Sequence, residues 1–292
     1  MSVSAENDGF SGKRAFELLQ RQCSFGPRVP GSPASAACAN FIEHELKEIG
    51  LTVKRQNFRV YSQLMKSDVT GTNIIGLYSG DSPSTDLVAL SAHWDSRPVA
   101  DRDADAQLRF QPIIGANDGA SGVAVLIEIA RVISKRRYPG RIIFLFFDLE
   151  DAGLPGSLEQ WCLGSTYFAE HSLHDYPITM GVNFDMIGDR NLRIQPEQMM
   201  MKHAPELTRD FWRSAQKSAP RYFIDEPLPY VIHDDHEPFL RRGIPYIDLI
   251  DFDYPEWHTQ EDTPDACSPW SLEIVGKAAI DFVFHRMEKF KK

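Results

Sequence analysis

The segment Ile142-Ile143-Phe144-Leu145-Phe146-Phe147-Asp148-Leu149-Glu150-Asp151-Ala152-Gly153 runs through six large apolar side chains and then stops at carboxylates. An apolar run of that length predicts a strand covered on both faces. In open α/β sheets the C-terminal end of such a strand is where ligands bind. Glu150 and Asp151 therefore belong either to a site or to an ordinary solvated turn.

Working outward, strands and helices take turns. Residues 88–93 (VALSAH), 178–185 (ITMGVNFD) and 244–250 (IPYIDLI) read as further strands, and residues 122–134 (GVAVLIEIARVIS) as a helix. A short helix after Ser165, one from Pro205 and a closing helix from Ser271 complete the alternation. Ahead of it, residues 51–60 alternate with period two and residues 72–78 form another strand candidate. Residues 11–23 carry apolar side chains at helical spacing, and Ser32-Pro33 opens a second helix running to Gly50. The expectation is a single α/β domain over residues 1–292. Its central mixed, mostly parallel sheet is flanked by helices, with residues 1–50 as a helical lead-in.

Composition narrows the function. At 292 residues, with 42% hydrophobic and 25% charged, the chain can bury a sizeable core. A formal charge of -10 and a pI near 5.4 argue against nucleic acid and anionic membranes as partners, and suit metal ions or the α-ammonium group of a peptide. No apolar run reaches membrane-span length, and Met1 to Gly9 lacks the basic start and apolar centre of a signal peptide. Cys23, Cys38, Cys162 and Cys267 form no CxxC, so a thiolate metal site is not expected, and their pairing stays open.

The strand ends carry the chemistry. His93 and Asp95 close one strand, Glu150 and Asp151 the next, and Asp185 a third; His258 follows the last, and Asp118 precedes a helix. Taken singly, each has an ordinary reading: Asp118 as a helix N-cap, Glu150-Asp151 as a solvated turn, each histidine as a satisfied structural residue. Their coincidence on one rim changes the balance. Carboxylates and imidazoles without thiolates match a zinc-type catalytic site, in which ~3 protein ligands leave a position open. A further carboxylate then moves protons, so one of Glu150 and Asp151 faces the ion and the other the substrate.

In order and context, HWD (93–95), GANDGASG (115–122), FFDLEDAG (146–153), NFDMIGD (183–189) and EWHTQEDT (256–263) resemble the zinc aminopeptidase superfamily. HDDHEPFLRRGIP (233–245), followed by YPEWHT (254–259), resembles glutaminyl cyclases of the bacterial type within it. The resemblance runs from about Arg28 to the final helix. It implies conversion of an N-terminal glutamine of peptides or proteins to pyroglutamate with release of ammonia. One zinc ion would be held by Asp118, Asp151 and His258. It further implies Glu150 as the proton-shuttling acid supported by Asp185 and Asp234, with Trp257, Tyr254 and His233 facing the substrate. Related cyclases act on exported proteins, so an exported enzyme with its leader removed is favoured over a cytoplasmic one, and a monomer is the default. The chain departs from the family pattern at Asp151, where many relatives carry Glu, at Asp248, where animal cyclases have His, and at His233, where Gln is expected. Two rivals stand beside this reading. In a two-zinc aminopeptidase His93 and Asp185 hold a second ion and Asp118 bridges; in a non-catalytic module Glu150 or a ligand would be lost.

Overall fold

Ser11 accepts a hydrogen bond from the Arg14 amide at 3.3 Å and so starts helix α1 (Gly12–Cys23). Ser32 does the same for α2 (Pro33–Glu48), with Pro33 in the first turn, where its missing N–H costs nothing. The structure is a computed structural model that describes residues 9–82 and 86–290. Apart from Gly9, the stretch read for a leader lies outside the described residues.

β1 (Thr52–Ser62) and β2 (Ser67–Ser79) form an antiparallel hairpin, in register from Thr52 opposite Leu77 to Ser62 opposite Ser67. β2 exceeds the expected 72–78 because its ladder continues to the hairpin turn. Then come β3 (Leu87–His93), α3 (Ala120–Lys135), β4 (Arg141–Phe147), α4 (Leu163–His171) and β5 (Ile178–Asp185). α5 (Gln198–His203), α6 (Pro205–Ser218), α7 (Glu237–Leu240), β6 (Tyr246–Ile250) and α8 (Pro269–Phe290) follow. α5 and α7 went unanticipated, being too short for a helical period to register.

The six strands lie in the order β1-β2-β4-β3-β5-β6; β4, β3, β5 and β6 are mutually parallel, and β2 joins β4 antiparallel. From β3 the chain steps to β4 on one side, then crosses back to β5 on the other. Right-handed crossovers moving in opposite directions put their helices on opposite faces, so α3 and α4 cover different sides of the sheet. α1 and α8 pack with α3, while α4 and α7 pack together. β4 is thereby enclosed: Ile142 to Phe147 are all buried. The reversal at β3 makes a topological switch point, with a crevice at the C-terminal strand ends. Among the described residues no helix is long and apolar enough to cross a membrane, and all four cysteines are free.

Asp251, just past β6, is buried and accepts the Arg193 amide at 2.7 Å. Burial pushes its carboxyl up to about 7. A carboxyl raised in the folded state favours folding below its ordinary pKa, and that benefit is lost as pH climbs from about 4 to about 7. Across that window the loss is at most on the order of 4 kcal/mol. Asp251→Asn keeps the acceptor for Arg193 and removes the charge, so urea unfolding should show it more stable than the parent at about pH 8 and near parity at about pH 4. Equal cost at both pH values would contradict this placement of the charge.

Candidate active site

Past β4 the chain turns sharply at Leu149, a non-glycine residue at φ 58°. The turn separates the two carboxylates. Cys162 donates its thiol to Glu150 Oε1 at 3.3 Å, and Glu150 shares a buried group with Asp234, ligand atoms of the three residues lying within 4.8 Å of one another. Asp151 points the other way, its Oδ1 3.3 Å from His258 Nε2, and a carboxylate oxygen of Asp118 lies 3.7 Å from the same nitrogen. The turn is held from below by Asp95, whose two oxygens accept the Glu150 and Asp151 amides, each at 3.2 Å. Leu149, Met186 and His258 all sit at positive φ beside or within this cluster, a conformation that costs about 1–3 kcal/mol each.

Asp118 does not cap a helix. The residue before α3 is Gly119, at φ 97°, and no side chain caps that end. A Cβ at Gly119 would lie 2.6 Å from the Asp95 carbonyl oxygen, so only glycine lets this loop close against β3. Asp262 accepts the Asn117 and Asp118 amides at 2.8 and 3.2 Å, and buried Arg28 donates to the carbonyls of Trp94, Ile114 and Gly115. Both leave the Asp118 carboxylate free to face inward.

Asp118, Asp151 and His258 converge with ligand atoms within 4.8 Å, and Asp118 Oδ2 and Asp151 Oδ2 are buried without a hydrogen-bond donor. Two undonated buried carboxylate oxygens in a group with an imidazole suit a divalent cation with mixed N and O donors. A second group, His93, Asp118 and Asp185, shares Asp118. There His93 Nε2 lies 3.1 Å from Asp118 and 3.2 Å from Asp185, while its Nδ1 faces Asp95 at 3.4 Å.

The charges push on one another. Burial raises Glu150 well above the usual carboxylate range, reinforced by Asp151 and Asp234 and opposed by His93. Asp234 is pushed up to about 6 by burial and the charge of Asp185. Burial works against a charged His258, but the Asp151 and Asp101 carboxylates carry it up to about 9. Asp248, where the chain departs from animal cyclases, lies behind Asp234: it accepts from Asn183 at 3.2 Å, and burial with the Asp234 charge pushes it well up.

These residues open onto a cavity of about 260 Å³. Its wall includes Asp118, Glu150, Asp151, Asp185, Asp234, His258, Trp257 and His233, eight of the nine residues to which the cyclase resemblance gives a site role; His93 and Asp95, also read from the strand ends, lie outside the wall. The ninth, Tyr254, is not in the wall. It is buried and donates its hydroxyl to Asp262 at 2.8 Å, supporting the Asp118 loop from behind. Sequence reading passed over Arg97 and Asp101, and it set Cys162 aside with the other cysteines. The one local signal was an arginine four residues before an aspartate, just past a strand end.

Known proteins share this fold. Residues 73–283 match the model of peptidase family M28. A leucine aminopeptidase precursor from Bacteroides thetaiotaomicron is 35% identical and superimposes with a TM-score of 0.90 over 94% of this chain and 97% of its own. The glutaminyl cyclase of that organism, solved with N-acetylhistamine bound, is 34% identical with a TM-score of 0.89 over 94% and 98%. The glutaminyl-peptide cyclotransferase-like protein of Bos taurus is 26% identical, spanning 88% of this chain and 71% of that protein.

Proposed function

This chain belongs to peptidase family M28, and we propose that within it the protein is a zinc-dependent glutaminyl-peptide cyclotransferase, closing the N-terminal glutamine of peptides or proteins to pyroglutamate with release of ammonia. The observation that carries this reading is Asp234 set against Glu150 in the wall of the cavity, beside the Asp118, Asp151 and His258 group. A cyclisation needs a proton carrier with a partner carboxyl; a hydrolase needs an activated water.

The α-amine of the substrate attacks its own side-chain amide, so nucleophile and electrophile are already joined, and the cavity wall serves to hold them in attacking geometry. A C–N bond forms between the α-nitrogen and the side-chain amide carbon Cδ as that carbon's bond to NH2 breaks. Glu150 takes the proton from the attacking amine and returns it to the departing nitrogen, which leaves as ammonia; no water is consumed. Its burial suits both roles, since a raised carboxyl holds a proton between the two steps. Asp234 shares a buried group with Glu150, Asp185 lies in the same cavity wall, and Asp248, pushed toward its neutral form, faces Asp234 from behind. Trp257, packed on His258 with ring centroids 4.2 Å apart, helps exclude water. His233, held by Glu237 at 2.6 Å, faces the substrate. Asp118, Asp151 and His258 are the residues that would hold zinc. When bound, the ion supplies Lewis acidity toward the γ-carbonyl oxygen.

One zinc ion per chain, a monomer and an exported enzyme complete the proposal. A second reading, a two-zinc aminopeptidase, is favoured by the His93, Asp118 and Asp185 group and by the leucine aminopeptidase precursor among the similar structures. Elemental analysis combined with turnover on two peptides separates the readings. One zinc per chain with turnover of a glutaminyl but not a leucyl peptide is expected; two ions per chain with leucyl cleavage would establish the peptidase.

A further inference from the structure

Arg97 lies in the loop after β3, is fully buried and is not in the cavity wall. All five of its N–H groups are used. Nε and Nη2 clasp the two Asp101 oxygens at 2.7 and 3.1 Å. Nη1 donates to Asp151 Oδ1 at 3.1 Å and to the Asp151 carbonyl at 3.0 Å, and Nη2 also reaches the Gly153 carbonyl at 3.2 Å. Asp101 in turn lies 3.1 Å from His258 Nδ1. The guanidinium rests on the Trp161 ring, 4.6 Å from its centroid, and that ring lies parallel to the His258 imidazole.

We propose that Arg97 and Asp101 are a positioning pair that fixes two members of the ion-binding triad at once, Asp151 through its Oδ1 and carbonyl and His258 through its Nδ1 side, leaving Asp151 Oδ2 without a donor and His258 Nε2 turned toward Asp118 and Asp151. The chemistry is that of a planar fork. Donation to Oδ1 leaves one Asp151 oxygen for the ion, and a carboxylate at Nδ1 draws the imidazole proton there, leaving the lone pair on Nε2. Two of the three ligands come from different loops, and a single buried cation fastens both. Lysine cannot replace it, because an ammonium lacks the fixed fork that spans Asp101 and Asp151 together.

This inference rests on the reading of Asp118, Asp151 and His258 as a zinc site, and its test reads zinc rather than turnover. Zinc affinity by chelator competition, the visible spectrum of the cobalt-substituted protein and the melting temperature of the zinc-free protein would be measured for the parent, Asp101→Asn and Arg97→Lys. Asp101→Asn preserves size and an acceptor for Arg97. Both variants should lose about 10–100-fold in zinc affinity and alter the cobalt spectrum, with Asp101→Asn melting like the zinc-free parent. Parental affinity and spectrum in Asp101→Asn would overturn the pair's role while leaving the zinc site standing. A parent that binds no zinc would overturn both.

Discussion

Glu150→Gln should lower turnover by about 10²–10⁴-fold while zinc content and substrate affinity stay close to those of the parent. The amide keeps the shape and can still accept the Cys162 thiol that holds Glu150 Oε1 at 3.3 Å. It cannot carry a proton from the attacking amine to the leaving nitrogen. Because Glu150 also borders Asp151, the variant must be shown to retain zinc before the loss is assigned to chemistry. A rate within a few-fold of the parent would remove Glu150 from the proton path, and Asp234, the carboxyl grouped with it in the cavity, would become the first alternative.

His258→Ala should empty the metal site on dialysis and abolish activity, with the fold retained. The imidazole is the one nitrogen donor of its group, and its loss leaves two carboxylates repelling across the site. Asp101, which faces His258 Nδ1, still has both oxygens held by Arg97, so little else is left without a partner. Asp151→Ala should also release zinc, but it strips a buried arginine of one of its two carboxylates, and removing one member of a buried ion pair can cost about 3–5 kcal/mol. Its effect on zinc is therefore confounded with stability. Undiminished zinc in His258→Ala would strike that residue from the ligand set.

Much of this site was legible because it follows from period and position. An apolar run followed by carboxylates marks β4 and its C-terminal end, and parallel strands carry His93, Glu150 and Asp185 to the same edge. What sequence could not weigh was orientation. Asp118 followed by glycine and a helix is the same pattern for a cap and for an inward-facing ligand; the positive φ of Gly119 and the amides taken by Asp262 decide it. Tyr254 shows the converse error. An aromatic four residues before His258 reads as a pocket wall, yet the intervening turn places it behind the Asp118 loop. Arg97 was missed because a loop arginine reads as solvated charge, and nothing local indicates that five acceptors from three loop positions meet around it.

The most direct measurement is the product formed by the zinc-loaded protein from a glutaminyl dipeptide, with ammonia assayed and the peptide weighed by mass spectrometry. The expected product is the intact dipeptide lighter by one ammonia, with ammonia released in equal amount. Free glutamine and a cleaved peptide bond, without ammonia, would contradict the cyclase and make this protein an aminopeptidase.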